Sequence, residues 1–129
     1  MGCMSADVTF LPPLDTVHWS PALALTRLDG DDQLLASVIA LMRSVLIREL
    51  PVLLHCIQIR DCMRIRQLTH AQLPSLKILG FDKPAEIFER FESVALKSDW
   101  QACEHMMPSI EMIWTRIIDA LGQHLQTQD

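Results

Sequence analysis

Apolar residues recur at steps of three and four along most of this chain and almost nowhere alternate. The clearest run is Trp100, Cys103, Met107, Ile110, Trp114, Ile117 and Leu121, a seam of heptad type. Before it, Ile87, Phe88, Phe91, Val94 and Ala95 form one amphipathic helical face. Earlier still, Leu34, Leu35, Val38, Leu41, Met42, Val45 and Leu46 cover a wide face. A face that wide implies several partner helices or an exposed apolar patch. Between these lies a segment with Ile65, Leu68, Leu76 and Leu79 on one stripe. The pattern predicts helices near 31–59, 61–80, 83–97 and 99–122.

Local signals punctuate these segments. Ser20-Pro21 reads as an N-cap and a first-position proline, starting a short helix that Asp29-Gly30 stops after about Leu28. Asp31 or Asp32 caps the next helix. Pro51 is expected to kink it, since proline removes a backbone donor and crowds the preceding turn. A break near Arg60-Asp61 follows, and Gly80 ends the third segment. Asp82-Lys83-Pro84 opens the fourth. Ser98 with Gln101 resembles a capping box before the last helix, which Pro108 bends slightly. Pro12-Pro13 keeps residues 1–18 irregular, with Phe10, Leu11, Leu14 and Trp19 as a cover over one end. The polar tail 122–129 is expected to fray. The predicted fold is a single all-α domain over 1–129: an antiparallel four-helix bundle with a short additional N-terminal helix.

Composition narrows the function. The chain has 129 residues, half of them hydrophobic, enough for a core without metal or disulfides. Its net charge of −5 and the lack of a basic run point away from nucleic acid. Cys3, Cys56, Cys62 and Cys103 read as reduced thiols in a cytoplasmic protein. Met1–Asp15 has neither a basic start nor an apolar run, so it does not resemble a signal peptide. The apolar tract Leu34–Ile59 is broken by Arg43, Arg48 and Glu49 and is no membrane span. Ala6 stands where a myristoylation pattern needs Ser or Thr. Only four glycines occur, scattered, and they cannot build a phosphate loop, so no nucleotide site or intrinsic kinase activity is expected. His55-Cys56, Cys62 and Cys103 with His105 lack metal-ligand spacing, so no metal is expected.

The candidate chemistry centres on His70. With about 100° per residue, Ile65, Leu68, Leu76 and Leu79 fall on the side of the helix away from it. Met63, Arg66, Gln67, Pro74 and Lys77 fall within about 60° of it, and Leu73 at about 60°. His70 therefore faces water between two cations. An exposed histidine on a rigid helix is a candidate nucleophile, and cations beside it favour a phosphoryl group on the ring. His18, His55, His105 and His124 read as surface or boundary residues.

This arrangement resembles the histidine-containing phosphotransfer (HPt) domain of bacterial phosphorelays over about residues 14–121. Leu14-Asp15, Trp19, Leu25 and Leu28-Asp-Gly-Asp-Asp-Gln-Leu34-Leu35 look like the family's lead-in. Glu49-Leu50-Pro51 resembles its acidic–Leu–Pro step, and Asp61 stands nine residues before His70. The family's His-x-Leu-Lys-Gly signature, with a further Gly ten residues after the histidine, is met at His70 and Gly80. It is not met at Gln72, Leu73 and Pro74. Leu73 replaces the cation thought to hold the phosphate, leaving Arg66 or Lys77 as stand-ins. Pro74 lacks the backbone N–H that would bond the His70 carbonyl.

The resemblance implies a phosphocarrier in which His70 relays a phosphoryl group between receiver-domain aspartates. Arg66, Lys77, Gln67, Leu73 and Pro74 would surround the phosphate or the docked partner. It implies no cofactor of the chain's own, Mg²⁺ being supplied by the receiver. The partners would be a response-regulator receiver domain, a hybrid sensor histidine kinase, or both. No nucleic acid or membrane partner is implied, and the chain would act as a monomer. The initial Met and the lack of another domain favour a free-standing shuttle. The alternative is a degenerate HPt-like domain that binds a receiver or kinase without being phosphorylated.

Overall fold

The computed structural model describes residues 17–127, which are helical apart from short connections and contain no strand. Five helices follow in order: α1 (Pro21–Arg27), α2 (Asp32–Gln58), α3 (Cys62–Ile78), α4 (Asp82–Leu96) and α5 (Trp100–Thr127). The four predicted long segments and the short first one are all present. Pro51, Pro74 and Pro108 lie inside α2, α3 and α5, each of which continues through its proline.

The connections are short because each helix stops and the next is capped within a few residues. At Arg60, Gly80 and Ser98 the chain turns into the left-handed region (φ 57°, 85° and 56°). The N–H of that residue and the N–H of the one after it close back onto the preceding helix. At the end of α4, Ser98 donates to the Ala95 carbonyl and Asp99 to that of Val94, the paired-bond helix stop. The residue after the turn then opens the next helix. Asp31, Asp61 and Asp99 accept from the backbone N–H groups of Leu34, Arg64 and Ala102. Asp99 rather than Ser98 is thus the cap of α5. Ser98 occupies the left-handed stop position and cannot also cap.

α2 packs against α3 and α5, α4 packs against the same two helices, and α1 lies against α2. All seven residues of the predicted α5 seam face inward except Trp100, which is half-buried. Phe88, Phe91, Ile110, Trp114 and Ile117 have no exposed surface. Phe88 stacks on Trp114 at 5.5 Å, and the Trp114 indole N–H donates to the Leu46 carbonyl at 2.8 Å. A buried tryptophan keeps its donor satisfied while bridging α5 to α2.

At the chain ends one expectation changes and one is met in part. Over the described residues the segment from Gly122 to Thr127 is helical. α5 runs on to Thr127, with Leu121 buried and Leu125 packed on the core. Gly122 also admits the Arg43 guanidinium. A β-carbon there would stand 2.8 Å from Arg43 Nε, which donates to the Ile118 carbonyl at 3.1 Å. At the other end, Val17 and Trp19 pack on the core as a cover. Trp19 stacks on Phe81 at 5.2 Å, meets His124 edge-on and donates from its indole N–H to the Leu79 carbonyl. Cys3, Phe10, Leu11, Pro12, Pro13 and Leu14 lie outside the described residues.

Candidate functional site

α3 starts where Asp61 caps it and stops at Gly80, which places His70 eight residues from either end. A side chain at mid-helix has helical backbone on both sides, although Pro74 cannot donate to the His70 carbonyl. Ile65, Leu68, Thr69, Gln72, Leu73 and Leu76 are buried and fix the rotation of α3. Thr69 donates to the Ile65 carbonyl and Gln72 to that of Leu68, so neither buried polar side chain is left without a partner. With that arc inward, the His70 side chain projects outward, 63% exposed.

α4 then supplies what the sequence reading missed. Lys77 Nζ lies 3.3 Å from Glu89 Oε1, and His70 Nδ1 lies 2.9 Å from Glu92 Oε1. Descending α3 thus meets ascending α4, and a row of carboxylates faces the basic row. The Glu92 side chain is only 15% exposed. Arg66 Nε approaches the same Oε1 to 3.7 Å and is buried without a hydrogen-bond partner. One carboxylate thus serves both the imidazole and a guanidinium. Glu92 was legible as a charge on the polar side of α4, but its facing residue depends on the helix-to-helix register.

The remaining predicted site residues divide. Arg66 and His70 meet at Glu92. Lys77 is drawn to Glu89 instead, and its carbonyl accepts from Arg27, whose guanidinium also grips Asp82 with contacts of 3.0 and 3.1 Å. Those bonds hold the Asp82 carboxyl below the usual carboxylate range. Gln67 and Pro74 are exposed beside His70. Leu73 is not part of this surface. It is 7% exposed and belongs to the core, because the inward arc of α3 extends to within about 60° of His70.

The other flank of α3 is a groove of mixed lining with an apolar centre. Val38, Leu41, Met42 and Val45 of α2 and Leu68, Ala71 and Ile78 of α3 line a groove of about 570 Å³, together with the polar Gln67, Gln72 and Ser75 and the charged Arg48, Glu49 and Arg64. Leu41 is 68% exposed. The wide apolar face of α2 is therefore only partly covered.

Elsewhere the thiols behave as core groups. Cys56 and Cys103 are buried and free, and burial pushes the Cys103 thiol up to about 11. Among the described residues no group of three or more His, Cys, Asp or Glu could hold a metal ion, and no helix is long and apolar enough to cross a membrane. Comparison with protein-family models, curated proteins and solved structures found no match to this chain.

Proposed function

We propose that this chain is a histidine phosphotransfer protein whose five helices form an antiparallel four-helix bundle with a short additional helix. His70 takes a phosphoryl group from a receiver-domain aspartate and passes it to another. The observation that carries this reading is an exposed imidazole at the centre of a helix, with Nδ1 held 2.9 Å from a mostly buried carboxylate. With Nδ1 so engaged, Nε2 is the nitrogen left for a partner's phosphoaspartate to approach in line. The chain has no nucleotide site of its own in this account. The receiver brings Mg²⁺ and the acidic pocket, and the protein acts in the cytoplasm as a monomer.

A second reading has its own support. Leu73 and Pro74 put no cation at the positions after His70, and Leu73 is buried. A domain of this shape can dock a receiver or kinase without accepting phosphate. Incubation with phosphorylated receiver domains separates the two. The phosphocarrier reading predicts acid-labile label on this chain, absent in His70→Gln, whose amide is no nucleophile. Binding without label in the parent favours the docking module.

A further inference from the structure

We infer that α2 carries a self-association surface, on which a second copy of this chain packs its own α2 antiparallel about a two-fold axis. The surface follows from the spacing of α2. Leu35, Ile39, Met42 and Leu46 are buried and form the seam that α2 turns to the core. One residue earlier, about 100° round the helix, a second stripe repeats the same spacing. It consists of Asp31, Leu34, Val38, Leu41, Val45 and Arg48, at steps of three and four. This second stripe is left open among the described residues. Leu34 and Leu41 are exposed, and Val38 and Val45 are half-buried along the groove beside α3.

The stripe is its own complement when reversed. Asp31 and Arg48, Leu34 and Val45, and Val38 and Leu41 lie at equal distances either side of the Ile39–Ala40 bond. Two such helices, antiparallel with that bond on the axis, bring Val38 against Leu41 and Leu34 against Val45 of the second copy. The same register carries Asp31 to Arg48 at both ends. One patch meeting itself in this way is the requirement of an isologous interface. A lipid surface or an unrelated helix gives no reason for opposite charges placed symmetrically about an apolar middle. Both end groups are available. Asp31 Oδ1 accepts from the Leu34 N–H at 2.9 Å, and the carboxylate has a second oxygen for a guanidinium. Arg48 Nη2 lies 3.4 Å from Glu49 Oε1, a pair of adjacent residues that costs little to give up. Ala71 and Ser75, small residues on the α3 wall of the groove, leave room beside Leu41.

The contact is narrow. Residues 31–48 span about 26 Å of helix, in a strip about 10 Å wide. That is well short of the roughly 800 Å² per partner of a standard interface, so pairing is expected to be reversible, with a Kd on the order of 100 μM. The exposed end pairs set direction and register more than affinity. Pairing does not depend on the chemistry of His70. The paired form closes the groove beside that residue, so the single chain is the form that meets a receiver.

The test is sedimentation equilibrium of the whole chain over about 10 μM to about 1 mM, a range that brackets the expected Kd. The parent is expected to pass reversibly from monomer to dimer, and His70→Gln to do the same. Leu41→Asp, at the middle of the stripe, is expected to weaken pairing about tenfold or more. Arg48→Asp sets like charges together at both ends and is expected to weaken it about fivefold. Asp31→Arg does so with the opposite sign. An equimolar mixture of the Arg48→Asp and Asp31→Arg chains is expected to recover parental pairing, because both ends then join opposite charges. Asp31 also caps α2, so circular dichroism checks the fold of Asp31→Arg. If that variant does not fold, Leu41→Asp and Arg48→Asp, which leave the cap intact, decide the case. A monomer at every concentration, or a dimer unmoved by Leu41→Asp or Arg48→Asp, overturns the inference. A mixture of folded variants that pairs no more tightly than either alone overturns it as well. A monomeric parent that binds a receiver through Leu41 would assign the stripe to another protein and overturn it too.

Discussion

The two flanks of α3 are closed in different ways. Toward α4, His70 with Arg66 meets Glu92, and Lys77 meets Glu89, so polar side chains span the junction. Toward α2, the junction is left as an open groove with an apolar centre, with Leu41 and Ile78 exposed. Ion pairs with a solvent-exposed partner contribute about 0–1 kcal/mol each, so the charged flank is not what holds α3 in place. The buried arc between the flanks supplies the adhesion, and it leaves a face free for chemistry and an apolar shoulder beside it.

The largest effects are expected where that adhesion is removed. Phe91→Ala or Trp114→Ala takes away a fully buried ring and is expected to cost about 3–5 kcal/mol in denaturant unfolding. A loss below about 1 kcal/mol would mean that neither flank hangs on this core. Next comes Leu73→Lys, which places a cation in the core of α3. Since Leu73 is 7% exposed, the change is expected to cost roughly 2–4 kcal/mol. If Leu73→Lys is neutral, α3 is rotated toward the charged flank.

How far the sequence carried this picture depends on what each feature needs. The α5 seam and the paired aromatics of α4 were legible, since one period repeated over several turns fixes a face. The left-handed stop at Ser98 was not, because Ser and Asp both cap helices and only the backbone decides which does so here. The place of His70 on an outward face was legible from helical phase. Its carboxylate was not, because the pairing of 70 with 92 is set by two helices together. Leu73 was misplaced for a related reason. At about 60° from His70 it lies on the boundary, and tertiary packing rather than phase put it inside.

Smaller effects sharpen the contrast further. Ser98→Gly relieves a left-handed backbone and is expected to stabilise by about 0.5–1 kcal/mol, measured as a raised unfolding midpoint. Leu41→Asp on the open flank is expected to change stability by less than about 0.5 kcal/mol, as that side chain is 68% exposed. A cost as large as that of Leu73→Lys would show that the groove is closed. The smallest is a pH effect. Arg27 lowers the Asp82 carboxyl, so the pair's contribution is present above the ordinary carboxylate range and fades as pH falls below roughly 4. Arg27→Ala is expected to flatten that part of the acid unfolding curve slightly.

The central claim is that His70 is the one reactive histidine, and locating the label tests it most directly. The chain is incubated with receiver domains carrying phosphoaspartate, digested at neutral or alkaline pH, and mapped by mass spectrometry. The account predicts phosphate on His70 alone and none on the His70→Gln variant. Label on His18, His55, His105 or His124, or undiminished label in His70→Gln, would contradict it.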